Sequence, residues 1–333
     1  MNRKIRWGIL STSHIAQSQV IPAIQASSNG EVVAIASRDV AKARECAARM
    51  SIPYALGSYE ALLNDARVDA IYNPLPIAMH AEWSIRCAEA GKPTLCEKPL
   101  AANAHEAMQM KRAFATHNVL LGEAIMYHFH PLTQQVAKLV RSGVVGTVRA
   151  LHATFHCTTL GDGNIRFQKA LGGGALLDLG CYCVSVMRLL TAEEPDKVTG
   201  FCNLGGTSQV DETFQGLLHF PSGALGNFSC SLRTCFDCHY EIAGSQGRLL
   251  IDTGGMAAWP GEDFTIKLWS ETKSPSYQEI VVSQANPYQL MVEDFADALL
   301  HNRPLTVPID ESIRNLQVLD RLMEVCEVFE SVR

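Results

Sequence analysis

Ile5-Arg6-Trp7-Gly8-Ile9-Leu10-Ser11-Thr12-Ser13-His14-Ile15-Ala16 is the stretch on which the reading of the fold turns. An apolar run, Ile5–Leu10, breaks into small polar residues, and a helical pattern over Ile15–Ala26 follows at once. A run that is apolar throughout, rather than alternating, belongs to a strand covered on both faces. Similar runs recur at Val32–Ser37, Ala70–Asn73, Thr94–Cys96 and Val119–Gly122. Helical patterns lie between them at Val40–Met50, Ala78–Ala90 and Ala104–His117, the second of these stopped by Gly91 and Pro93. This alternation predicts an α/β domain built on a doubly wound parallel sheet, a Rossmann arrangement.

Beyond residue 124 the rhythm changes. Helices are expected over Leu132–Ser142 and Ala175–Leu190, then strands over Lys197–Leu204, Thr213–Phe220, Ala224–Leu232, His239–Ala243, Arg248–Ile251, Phe264–Trp269 and Gln278–Val282. Pro221-Ser222-Gly223 reads as a hairpin turn. Two helices, Tyr288–Leu300 and Glu311–Val328, close the chain. The pattern predicts a C-terminal α+β domain with a mainly antiparallel open sheet. The division is therefore 1–124 for a dinucleotide-binding domain and 125–333 for a substrate-binding and oligomerisation domain.

Bulk properties agree with two globular domains. The chain has 333 residues, 47% hydrophobic and 19% charged, which excludes disorder. A net charge of −6 gives no general attraction to nucleic acid or an anionic membrane. No apolar stretch is read as approaching the roughly 20 residues of a membrane helix. The basic start, Met1-Asn2-Arg3-Lys4, precedes an apolar run too short for a signal core. Eleven scattered cysteines fit a reduced, cytoplasmic protein rather than a disulfide framework. Cys181 with Cys183, Cys235 with Cys238, His128 with His130 and His152 with His156 lack the acid-rich company of a metal site, so none is expected.

The first strand–helix turn carries Ser11-x-Ser13-x-x-Ala16 where a dinucleotide site has G-x-G-x-x-G/A. Ser11, Thr12, Ser13, His14 and Ile15 are candidate pyrophosphate contacts at a helix N-terminus; a plain strand–helix turn is the alternative. Ser37-Arg38 ends the second strand about 22 residues past Ala16, near the ~20 expected of the ribose-binding position. A hydroxyl beside a guanidinium suits a 2′-phosphate and hence NADP. Asp39, one residue on, keeps NAD open, and Arg38 also reads as a solvated helix-start residue.

Two further strand ends reach the same edge: Asn73-Pro74-Leu75-Pro76, a stiff turn, and Glu97-Lys98-Pro99. A Lys beside a carboxylate at such an edge can hydrogen-bond a substrate oxygen, although Lys98 taken alone reads more readily as a surface ion pair. Downstream, Gly172-Gly173-Gly174-Ala175-Leu176-Leu177-Asp178-Leu179-Gly180-Cys181-Tyr182 turns sharply into a helix. Asp178 and Tyr182 are four residues apart and share a face. A carboxylate and a phenol opposed to a lysine from the other domain make a proton-transfer group.

The Glu97-Lys98-Pro99 block and the triple-glycine block together resemble the glucose–fructose oxidoreductase and inositol dehydrogenase (Gfo/Idh/MocA) family, nearest its dihydrodiol dehydrogenase and sugar oxidoreductase branches. The resemblance runs over essentially the whole chain. It implies an NADP-dependent, possibly NAD-dependent, dehydrogenase or reductase acting on CH–OH groups. It also implies that Lys98, Asp178 and Tyr182 line the substrate site, with Tyr182 as acid/base. Lys98 would draw the phenol's pKa down from ~10. By the same resemblance Glu97, Glu123, His80 and Trp83 lie near the cofactor, and Arg166 reaches cofactor phosphate or substrate. The substrate expected is a sugar, polyol or vicinal diol. A nucleotide-linked sugar, with Arg166 and Arg233 binding phosphate, and a non-catalytic sensor are the alternatives. The open sheet face, expected to carry Phe228 and Leu232, would join a second copy in a homodimer or homotetramer.

Overall fold

The computed structural model describes residues 3–159, 161, 163–257, 259–271 and 275–330. By packing they form two compact units, residues 1–126 with 288–313 and residues 127–287 with 314–333.

The first unit contains β1 (Ile5–Leu10), α1 (Ile21–Ala26), β2 (Gly30–Ala36), α2 (Val40–Arg49), β3 (Tyr54–Leu56), α3 (Tyr59–Leu63), β4 (Ala70–Asn73), α4 (His80–Glu89), β5 (Thr94–Glu97), α5 (Ala104–Thr116) and β6 (Leu121–Ala124). Its strands form one parallel sheet in the order β3-β2-β1-β4-β5-β6. The order reverses between β1 and β4, where ligands bind at the carboxyl ends of such sheets. Trp7, Ile9 and Leu10 of β1 are fully buried, as the unbroken apolar run requires. Local signals set the helix ends: the Asp39 side chain accepts from Ala41 and Lys42 at the start of α2, and Asn103 accepts from Glu106 at the start of α5. Pro22 has no N–H to give the first helix, and a π-turn, Ala16–Val20, precedes it.

The second unit contains α6 (Pro131–Arg141), β7 (Val148–Thr158), α7 (Cys181–Thr191), β8 (Lys197–Leu204), β9 (Asp211–His219), β10 (Leu225–Ser231), β11 (Arg233–Gly244), β12 (Gly247–Ile251), β13 (Phe264–Ser270) and β14 (Ser276–Val282). The chain then runs through α8 (Pro287–His301) and α9 (Ile309–Val325) to β15 (Glu327–Glu330). The second sheet has nine strands in the order β14-β13-β12-β11-β7-β10-β9-β8-β15. Only β10 with β7 and β15 with β8 are parallel; the other pairs are antiparallel.

Several details depart from the sequence reading. Residues 288–313 follow the second sheet in the chain yet pack with the first unit. Phe295 sits against Trp7 with ring centres 5.3 Å apart, and Asn29 donates to Asp297 at 2.7 Å. The last helix stops at Val325, and the β-branched and aromatic residues after it pair with β8. Phe228 and Leu232 do not lie on the open face. Both are buried, Phe228 beside Gly180 and stacked on Phe214, because period-two alternation turns them toward the covering helix. The open face instead carries Phe201, Leu217 and Leu225, each at least half exposed, with Phe329 near Phe201. Residues 169–191 are long and apolar enough for a membrane helix, contrary to the sequence reading, but 72% of the 18-residue window that qualifies is buried inside the fold.

Candidate active site

In the first unit the turn after β1 keeps the backbone of a glycine loop without the glycine. Ser11 holds φ at 90°, a left-handed conformation rare for a side-chain-bearing residue. Its hydroxyl accepts from the Ser13 N–H, and the Ser13 hydroxyl faces the Ala16 N–H at 3.4 Å. Thr12 is tied to Gln17 through its carbonyl, and exposed His14 lies 3.5 Å from the Ser18 hydroxyl. Ile15 is the last residue before the π-turn.

At the end of β2, Ser37 is buried and Arg38 exposed. Asp39 is taken up by the N-terminus of α2, its carboxylate accepting two backbone N–H groups at 2.9 and 3.3 Å. It is thereby turned to capping, which leaves Ser37 and Arg38 as the polar side chains at this strand end. Tyr59, which the linear sequence did not single out, feels the Arg38 charge and packs edge-on against Trp83 at 4.9 Å. Tyr59 lies 21 positions after Arg38 in the chain, and the β2–β3 crossover brings them together. These features fit the adenosine end of a dinucleotide with a 2′-phosphate.

Asn73 is fully buried and braces its own turn, donating to Ser84 at 3.0 Å and accepting from the Leu75 N–H. His80 is buried as well. Its two ring nitrogens lie 2.7 Å from the Leu75 carbonyl and 3.0 Å from the Pro99 carbonyl. Burial draws its pKa down to about 4, outweighing those carbonyls, with the Lys98 charge adding to the fall. The ring thus ties the Asn73–Pro76 turn to the Lys98–Pro99 turn, whose peptide is cis.

Lys98, just past the end of β5, is half-buried. The Glu97 carboxylate accepts from the Tyr72 hydroxyl at 2.6 Å and from the Lys98 N–H at 3.1 Å. Glu123, from β6, accepts the Leu100 N–H at 2.8 Å. Burial pushes the Glu123 carboxyl up to about 6; Glu97 raises it too, while the Lys98 ammonium opposes the rise. Glu97, Glu123 and His80 are thus each tied to the backbone around this lysine, at Lys98, Leu100 and Pro99.

In the second unit Asp178 lies on a π-turn, Leu176–Gly180, that runs into α7, where Tyr182 stands in the first turn. Both are more than nine-tenths buried. The Arg166 Nε donates to the Asp178 carboxylate at 2.6 Å, and its charge is also felt by Tyr182 and Cys157. The Tyr182 ring lies 5.3 Å from Phe155 and 5.8 Å from Tyr127. Behind it Tyr127 donates to the Ser185 hydroxyl at 2.8 Å, and Ser185 in turn lies 3.0 Å from the His128 Nε2.

The triple glycine makes this packing possible. Gly174 has φ 131°, and a Cβ there would lie 2.1 Å from an Asp211 oxygen. At Gly173 a Cβ would meet the Arg166 carbonyl. Asp211, on β9, accepts the Leu176 N–H at 2.6 Å and also bonds the Ala175 N–H. Sequence reasoning missed Asp211, because nothing in its local pattern marks it as the cap of a helix 35 residues upstream. Arg233 forms a two-point pair with Glu212 at 2.6 and 2.8 Å and lies over the Phe167 ring. Among the described residues no group of three or more His, Cys, Asp or Glu is arranged to hold a metal ion.

Comparison with known proteins supplies an independent view. Residues 5–125 match the profile of an oxidoreductase family with an NAD-binding Rossmann fold, and residues 133–250 match that of the GFO/IDH/MocA C-terminal domain. The chain is 37% identical to D-xylose 1-dehydrogenase (NADP(+)) 2 of Haloferax volcanii, over 98% of both chains. It is 33% identical to the trans-1,2-dihydrobenzene-1,2-diol dehydrogenase of Mus musculus, over 81% of this chain and 77% of that one. Among solved structures it resembles a 3-ketoreductase from Actinomadura kijaniata in complex with NADP and TDP-benzene, with a TM-score of 0.94 and 28% identity over 99% of this chain and 100% of that one.

Proposed function

The chain belongs to the Gfo/Idh/MocA oxidoreductase family, and we propose that within it the protein is an NADP-dependent enzyme acting on a secondary alcohol or carbonyl of a sugar, polyol or vicinal diol. The observation that carries this reading is the Arg166–Asp178–Tyr182 group, a buried phenol beside an ion pair. A bound nicotinamide would supply or accept the hydride. Tyr182 would exchange the proton of the reacting oxygen. Asp178, held by Arg166, would orient substrate hydroxyls. Lys98 would donate a hydrogen bond to a substrate oxygen. Arg38, with Tyr59 and Ser37, would hold the 2′-phosphate, and Ser11 through Ile15 the pyrophosphate. Asn73 to Leu75 and His80 would shape the wall beside the nicotinamide.

The xylose and diol dehydrogenases support the sugar-or-diol reading. A nucleotide-linked sugar is the second reading, supported by the likeness to the 3-ketoreductase. It asks for basic residues at a diphosphate, and both arginines considered for that role, Arg166 and Arg233, are neutralised by carboxylates. We place the enzyme in the cytoplasm, as its eleven scattered cysteines fit a reducing compartment. It would assemble as a homodimer or homotetramer through the open face of the second sheet.

The test is NADP reduction, or NADPH oxidation, across aldoses, polyols, vicinal diols and a dTDP-sugar, with wild type and Tyr182→Phe. Turnover should fall by about 10²–10⁴ in the variant, the scale of a lost acid/base group, with NADP affinity unchanged. Wild-type turnover in Tyr182→Phe would overturn the assignment.

A further inference from the structure

From Tyr182 an unbroken series of aromatic rings leads to the surface of the second unit. Phe155 lies 5.3 Å from Tyr182, Phe236 lies 6.4 Å from Phe155 in an edge-on contact, and Trp259 lies 5.7 Å from Phe236. Exposure rises along the series: Tyr182 and Phe155 are buried, whereas Phe236 is 47% and Trp259 42% exposed. Single exposed apolar residues are ordinary, but two large aromatic rings in contact at the surface, continuous with a buried functional residue, form a patch suited to a ligand. The backbone also bends to present it. The register between β11 and β7 is interrupted between Arg233 and Asp237, the segment that carries Phe236. Irregularities of this kind re-aim side chains beside functional sites. The charges bordering the series are internally balanced, Arg166 by Asp178 and Arg233 by Glu212.

We propose that Phe236 and Trp259 form a stacking subsite for an uncharged planar ring carried by the substrate, two ring spacings from the carbon that faces Tyr182. A glycoside with an aromatic aglycone has that shape: a saturated ring for the reacting end and a neutral flat ring for the shelf. A diphosphate-linked base fits less well, because its charge would have to displace two existing ion pairs. The inference rests on the functional reading for where the substrate lies, but its test does not depend on turnover.

Phenyl and methyl β-D-xyloside present the same sugar with and without the flat ring. Titrated calorimetrically into NADP-loaded protein, the phenyl glycoside should bind about tenfold more tightly, the scale of one aromatic contact. Trp259→Ala should bring the ratio close to one. Phe236→Ala should do the same, and because Trp259 lies in the loop between β12 and β13, its variant is independent of the β11 irregularity. Equal binding of the two glycosides by wild type, or a ratio unchanged in Trp259→Ala, would overturn the subsite. Absence of turnover on every sugar and diol would overturn the functional reading instead, and the calorimetric ratio would still decide the shelf.

Discussion

Asp211→Asn tests how the helix bearing Asp178 and Tyr182 is held. Asp211 is buried, and its carboxylate receives the Leu176 and Ala175 N–H groups at the start of that helix. Burial pushes its carboxyl from 3.8 up to about 7, although those N–H groups pull it down. A carboxyl whose folded pKa exceeds its unfolded one contributes stability that is complete below the unfolded value and is lost as pH rises through the folded one. The window here runs from about pH 4 to about pH 7. Proton linkage with these values gives a loss of about 3 kcal/mol between pH 5 and pH 8. Asparagine has the same shape but does not titrate. One of its two polar atoms cannot accept an N–H, which adds a fixed cost of about 1–3 kcal/mol. The Cys202 and Cys230 thiols, which feel the Asp211 charge, are both pushed up by burial and stay neutral over this range. Urea unfolding of both proteins at several pH values should therefore show the variant weaker at pH 5 and gaining about 3 kcal/mol relative to wild type by pH 8. Two parallel stability profiles would refute the reasoning.

Arg38→Ala should raise the Kd for NADP by about thirtyfold, a loss of about 2 kcal/mol for one charge-assisted contact, while leaving NAD binding nearly unchanged. Equal effects on both cofactors in a fluorescence titration would show that Arg38 does not meet the 2′-phosphate. Leu217→Asp combined with Phe201→Asp, on the open sheet face, should lower the mass measured by light scattering to that of one chain. A wild-type protein that is already monomeric would count against assembly through this face.

Much of the fold was legible because parallel strands covered on both faces read as unbroken apolar runs. β1 and β4 have the bounds expected of them, Ile5–Leu10 and Ala70–Asn73. β3 and α3, at three and five residues, are too short to show any period, so neither was read from the sequence. The surplus of alternating strands gave the second sheet its class but not its covered side. Alternation says that two faces differ, and only the placement of α7 decides that Phe228 points inward. The return of residues 288–313 to the first unit was not legible either, since an amphipathic helix does not declare which surface it will cover.

At the site, what was legible and what was not divide along another line. Lys98, Asp178 and Tyr182 stand in short local blocks, so the sequence marks them; the groups that hold them come from far along the chain. Asp211 reaches Leu176 across 35 residues, and Glu123 reaches Leu100 across 23. The glycine loop shows why the local blocks can still mislead. Serine at position 11 makes the motif look eroded, yet the residue holds φ at 90°, the conformation for which glycine is normally selected. Such a backbone costs a non-glycine residue roughly 1–3 kcal/mol and persists only where its surroundings require it. Here the Ser11 N–H is bonded to the Ala36 carbonyl at 2.9 Å, and its hydroxyl receives the Ser13 N–H. The sheet imposes the turn, and the serine hydroxyl offsets part of what its Cβ costs, so the loop retains its geometry after losing its signature.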